Sequence, residues 1–130
     1  MITLDTCSIV WNALNPKKLS RKARKAIKEN EKEGLIFCEI SLWEIAMLIK
    51  KERLTVEVSY SELIDLILSA HNFILVGISP EIARLSVSFS EKMNQDPADR
   101  IIAATSIVKK AKLLTADKNL LKSKELDTIW

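Results

Sequence analysis

Short apolar runs that alternate with helix-patterned stretches restrict this chain more than any other feature. Met1 to Asp5, Leu35 to Ile40, Phe73 to Ile78 and Lys112 to Thr115 read as strands, and Asp127 to Trp130 as a fifth at an edge. Strands that are apolar without alternation suit a parallel sheet buried on both faces. Helices fill the gaps. Thr6 to Leu14 is short and closed by Asn15-Pro16. Lys17 to Glu33 carries Ser20 as a cap, Ala23, Ala26 and Ile27 as a thin stripe, and Gly34 as its stop. Ser41 and Glu44 fit a capping box, with a stripe of Leu42, Ile45, Ala46 and Ile49 running to about Arg53. Ser59 and Glu62 repeat that spacing. Ser79-Pro80 opens a helix to about Met93, and Asp96-Pro97 opens the next. Asp117 begins a short turn or helix through Leu121. The expected architecture is one α/β domain spanning residues 1–130, its parallel sheet covered by helices on both faces. With two Gly and three Pro, the chain lacks the turns of a sandwich or barrel.

This layout places the acids. Ligands of open parallel sheets bind beyond the carboxyl ends of the strands. Asp5 ends the first strand. Glu44 lies one helical turn past the second, and Asp117 two residues past the fourth. A helix that follows a strand starts at that strand's carboxyl end, so these three share one sheet edge. Asp99, in the first turn of the helix from Asp96, joins them if the preceding connection crosses to that edge. Carboxylates crowded into one cleft repel, and a hard divalent cation relieves the repulsion. Mg²⁺ or Mn²⁺, one ion or two, would also lower the pKa of a bound water and stabilise charge on a phosphoryl oxygen. The implied chemistry is metal-assisted phosphodiester cleavage.

Other chemistries fall away. Cys7 and Cys38 form no disulfide framework, and the single histidine, His71, stands near neither. Zinc ligation and a Cys/His nucleophile pair therefore lack residues. Apolar runs are too short to span a membrane. The chain enters a strand at once, so no signal peptide is expected, and reduced thiols suit the cytoplasm.

Four segments in order carry a resemblance. They are Leu4-Asp5-Thr6-Cys7-Ser8, Ser41-Leu42-Trp43-Glu44-Ile45-Ala46, Asp96-Pro97-Ala98-Asp99-Arg100-Ile101-Ile102-Ala103-Ala104-Thr105, and Leu113-Leu114-Thr115-Ala116-Asp117. Over essentially its whole length the chain resembles PIN-domain ribonucleases of the VapC toxin type. The resemblance implies a three-layer α/β/α sandwich with strand order 3-2-1-4-5. It implies a Mg²⁺- or Mn²⁺-dependent endoribonuclease, a homodimer, and a small antitoxin partner. It carries the family's acidic quartet onto Asp5, Glu44, Asp99 and Asp117, as catalytic residues and metal ligands. Asp96 is auxiliary in this comparison, and Thr6, Ser8 and Thr115 support the cluster. Cys7 departs from the pattern, which commonly has Ser there.

Each acid also has a plainer reading. Asp5 fits an Asx turn, Glu44 a capping box with Ser41, and Asp117 a cap for Lys118 to Leu121. Asp96 and Asp99 both suit the start of one helix, which needs only one of them. Arg100 either touches substrate phosphate or holds an acid. The basic run Lys17, Lys18, Arg21, Lys22, Arg24, Lys25 and Lys28 is either a solvated helix face or a grip on RNA phosphates. Trp43, Met47 and Leu48, off the main stripe, are a second buried face or a subunit interface. Two rivals follow. A haloacid-dehalogenase-like phosphatase would want an acid at position 7, where Cys stands. A non-catalytic RNA- or partner-binding module would use its acids for capping and need no metal.

Overall fold

The computed structural model describes residues 1–130. Five strands form one sheet: β1 (Ile2–Leu4), β2 (Leu35–Cys38), β3 (Phe73–Val76), β4 (Lys112–Leu114) and β5 (Thr128–Ile129). Their order is 3-2-1-4-5, and all neighbours are parallel. Ile2 pairs with Leu35 on one side and Lys112 on the other, so β1 is the central strand.

Seven helices cover the sheet: α1 (Thr6–Leu14), α2 (Arg21–Asn30), α3 (Glu39–Lys50), α4 (Tyr60–Ala70), α5 (Pro80–Ser86), α6 (Pro97–Val108) and α7 (Lys118–Lys122). Alternate strand residues feed two cores. Ile2, Leu4, Leu35, Phe37 and Leu114 pack with Ile9, Ala23, Ile27, Ile45, Leu63 and Ile67 of α1 to α4. Ile36, Cys38 and Leu113 face the other way, onto Ile82, Ile102, Ala103 and Leu120. Helix α6 is buried along Ala98, Ile102, Ala103, Ala104, Thr105 and Ser106, as its nearly unbroken apolar run requires.

The caps at Ser20, Ser59, Ser79, Asp96 and Asp117 all accept from the backbone two or three residues on. Four expectations change. The basic segment splits, because Ser20 starts α2 and leaves Pro16–Lys18 as a separate 3-10 turn. Helix α3 begins at Glu39, where β2 ends at Cys38, so Ser41 is inside the helix and caps nothing. It ends at Lys50, where Arg53 N–H reaches back to the Leu48 carbonyl around Glu52, left-handed at φ 56°. Helix α5 stops at Ser86 and does not reach Met93. The Ser88 hydroxyl takes the Leu85 carbonyl, and Arg100 claims carbonyls further along. Finally, β3 is a sheet edge that helices leave partly open: Ile74 and Leu75 are exposed although their run looked fully buried.

Candidate active site

Asp5 is the residue after β1, and its backbone N–H still bonds the Leu114 carbonyl of β4 at 3.1 Å. Its side chain caps α1, with Oδ1 accepting from Ser8 N–H at 2.8 Å. Oδ2 accepts from the Thr115 hydroxyl at 2.6 Å, and that hydroxyl accepts from Asp117 N–H at 3.1 Å. Asp117 caps α7 through Oδ1, which leaves Oδ2 for the Asn94 amide at 3.3 Å. The same amide nitrogen donates to Asp99 Oδ2 at 2.7 Å. Carboxylate oxygens of Asp99, Asp96 and Glu44 lie within 4.8 Å of one another. Glu44 closes the set by accepting from the Thr6 hydroxyl, which also bonds the Ser41 hydroxyl at 2.8 Å.

All four acids of the quartet therefore stand at one sheet edge, Asp99 among them, because the connection after α5 does cross to that edge. Asp96, ranked behind the quartet on sequence, caps α6 from Ala98 and Asp99 N–H groups and still stands in the closest trio. That cap leaves the Asp99 carboxylate free of its own helix. The capping-box role for Glu44 disappears with the true start of α3. Ser41 turns inward instead, and its partner is Thr6. Ser8 bonds the Leu114 carbonyl at 3.4 Å through its hydroxyl.

The charges in this cleft are unbalanced. The structure has ion pairs at Met1–Glu33 and Lys25–Glu29 and a His71–Glu31 contact at 3.0 Å, and none of them touches these acids. Burial raises the Asp5 pKa above its ordinary value, opposed by the Ser8 and Thr115 hydrogen bonds and reinforced by Asp117. Burial likewise raises that of Glu44, against the Thr6 bond and with Asp96 and Asp5 adding repulsion. Asp99 is pushed up to about 7, first by burial and then by Asp96, Glu44, Asp117 and Asp5. Cys7, on the rim, has its thiol pushed up to about 11 by partial desolvation and then by Asp5, Glu44 and Asp99. It is therefore a thiol near neutral pH and a poor nucleophile.

Arg100, half-buried, pairs with none of the acids. Its guanidinium bonds the carbonyls of Asn94 at 2.8 Å and Ser90 at 2.9 Å. Asn94 itself escaped the sequence reading: a lone Asn in a loop carries no motif, and its two acids lie 5 and 23 residues away. Of the basic run, Lys18 acts on the cleft rim. Its ammonium lies 5.7 Å from the Trp11 ring centroid, and its charge is felt at Cys7 against the acids. Helix α2 runs away from the site, since its last residue, Asn30, binds the Met1 ammonium at the opposite sheet edge.

A family model described as PIN domain matches residues 2–126. The chain belongs to the PIN-domain family. It is 31% identical over 119 residues to Ribonuclease VapC22 of Mycobacterium tuberculosis, covering 92% of this chain and 88% of that protein. Among solved structures it is similar to VapBC2 from Rickettsia felis bound to a promoter DNA fragment. The TM-score there is 0.73 at 18% identity, with 98% of this chain and 97% of the other covered. A toxin–antitoxin complex from Klebsiella pneumoniae matches with TM-score 0.66 at 20% identity, covering 96% and 94%. FitAB bound to a DNA fragment also scores 0.66, at 17% identity, covering 98% and 93%. These likenesses establish the three-layer fold with its 3-2-1-4-5 sheet.

Proposed function

We propose that this PIN domain is a divalent-metal-dependent endoribonuclease and the toxin of a toxin–antitoxin pair. The observation that carries the reading is the acid cluster: five carboxylates at one sheet edge, four of them bonded by Thr6, Thr115 or Asn94, with no cationic side chain paired to any of them. The relative named a ribonuclease supports it.

The donor set fits a hard cation, since every side-chain donor in the cluster is a carboxylate or hydroxyl oxygen. Asp5, Glu44, Asp99 and Asp117 would hold Mg²⁺ or Mn²⁺, and Asp96 stands close enough to Glu44 and Asp99 to share in it. Bound there, the ion supplies positive charge that eases deprotonation of the attacking water and offsets charge on the phosphoryl oxygens. The chain's own residues supply geometry. Thr115 and Ser8 lock the Asp5 carboxylate from two sides, and Thr6 fixes Glu44. Partial burial weakens the screening of these charges by water, most of all at Asp5. Lys18, whose charge reaches Cys7 on the rim, would meet an RNA phosphate, with Lys17 beside it and Arg21, Lys22, Arg24, Lys25 and Lys28 extending the positive surface along α2. Such contacts hold any sequence, so the choice of RNA lies elsewhere. An antitoxin and a second copy of the chain are the proposed protein partners. The exposed Trp43 ring, beside Glu44 on α3, supports an interface there. No helix is long and apolar enough to cross a membrane.

The test is cleavage of a mixed transfer and ribosomal RNA pool with Mg²⁺ or Mn²⁺, with EDTA, and with Asp5→Asn in parallel. Discrete fragments that vanish with EDTA and with the variant are expected. Full cleavage by Asp5→Asn would overturn the assignment. Absence of both metal binding and cleavage would favour the binding-module alternative.

A further inference from the structure

We infer that Asn94 is a positioning residue of the acid cluster: its carboxamide sets the separation of Asp99 and Asp117 without adding a charge. The inference rests on the metal-dependent reading above. Asn94 Oδ1 accepts from Asp96 N–H at 2.9 Å, and a backbone N–H can only donate. The oxygen side of the amide is thereby fixed, and the NH₂ side must face the acids. Its nitrogen donates to Asp99 Oδ2 at 2.7 Å and to Asp117 Oδ2 at 3.3 Å, so both amide protons are used. A lysine there would neutralise the acids and compete with a cation. The neutral amide orders them and leaves their charge intact.

The irregular segment between α5 and α6 holds Asn94 in place. Phe89 and Met93 anchor it in the core. Arg100 takes the Asn94 and Ser90 carbonyls. The Gln95 amide takes those of Glu91 and Met93, at 2.7 and 3.1 Å. Asn119 accepts from Asn94 N–H and donates to the Lys92 carbonyl at 3.1 Å. Arg100 thus acts on the acids through Asn94, which accounts for a guanidinium spent on backbone carbonyls and not on an acid. Asn119 anchors the same loop and bonds no acid, so it separates loop anchoring from amide donation.

The experiment is Mn²⁺ titration, read calorimetrically and by the loss of the free-ion EPR signal, on wild type, Asn94→Ala and Asn119→Ala. Asn94→Ala should bind Mn²⁺ about tenfold more weakly, the scale seen when a ligand's hydrogen-bond partner is removed. Asn119→Ala should stay near wild type. Wild-type affinity in Asn94→Ala, or equal losses in both variants, overturns the inference. If Asn94→Ala does not fold, Asn94→Asp keeps the acceptor for Asp96 N–H but sets a third carboxylate against Asp99 and Asp117. It should melt below wild type in EDTA and gain more from Mn²⁺; equal melting in EDTA overturns the inference. Failure of wild type itself to bind Mn²⁺ counts against the metal reading, while the EDTA melts still decide the role of Asn94.

Discussion

The two ends of the sheet handle charge in opposite ways. At the carboxyl end, acids of one sign are drawn into a half-buried cleft and held by hydroxyls and an amide. At the amino end, opposite charges meet in the open. The Met1 ammonium bonds Asn30 Oδ1 and Glu33 Oε2, both at 2.8 Å. A groove there of about 660 Å³ mixes Lys110 and Lys112 with Glu29, Glu125 and Asp127. It is spacious, yet its charges balance and its polar groups stand in water, where ion pairs contribute little. Depth does not single out the proposed site in this molecule. Uncompensated like charge, kept in place by dedicated hydrogen bonds, does.

The sharpest way to break that contrast is to neutralise one acid. If Asp99 holds the proposed metal, Asp99→Asn should cut RNA cleavage by about 10² or more. In EDTA above neutral pH it should melt higher than wild type, because a buried repulsion is gone. Loss of activity together with loss of stability would mean that the cluster stabilises the fold.

Next is pH. Asp99 moves from 3.8 to about 7 on folding, so the folded state binds the proton more tightly than the unfolded chain. Its contribution to stability is therefore full below about 4 and is lost as pH rises toward about 7. Glu33 has the opposite sign: the Met1 ammonium lowers its pKa from 4.5, so its contribution is present above that value and lost on acidification. Melting in EDTA should show Tm falling between pH 5 and pH 7, with Mn²⁺ or Asp99→Asn flattening that slope. A flat wild-type profile would contradict the crowding at the carboxyl end.

Backbone changes at the amino end give smaller effects. Gly34, at φ +120°, immediately precedes β2, and an added Cβ would sit 2.4 Å from Ile74 Cδ1. Gly34→Ala should destabilise by about 2 kcal/mol in denaturant melts, from strain and contact together. Lys110, at φ 53°, closes α6 where glycine is usual, with Ala111 N–H bonded to the Ser106 carbonyl. Lys110→Gly should stabilise by about 0.5–1 kcal/mol and leave cleavage unchanged, as expected far from the acids.

Much of this was legible in the chain itself. Strand identity followed from short apolar runs, and five helix starts from Ser or Asp caps, because both signals are local. The errors arose where a distant residue outbid a local preference. Ser41 fits a cap by spacing, yet Thr6, 35 residues away, takes its hydroxyl. Helix α5 looks able to continue to Met93, yet Arg100 takes the carbonyls of Phe89, Ser90 and Met93 and holds that segment in an irregular path. The exposure of Ile74 and Leu75 depends on β3 lying at the edge, which no residue in β3 specifies.

Sequence alone determined the alternation of strand and helix, the parallel sheet, and the placing of Asp5, Glu44 and Asp117 at its carboxyl edge. Those features rest on periodicity, capping and the direction in which a helix must leave a strand. Tertiary structure decided that Asp99 joins them, that Asp96 stands in the closest trio, and that Asn94 lies between Asp99 and Asp117. These are matters of distance across the fold. A carboxylate's neighbours are set by which strands pair and which loop crosses the sheet edge, and so is the pKa of Asp99 near 7.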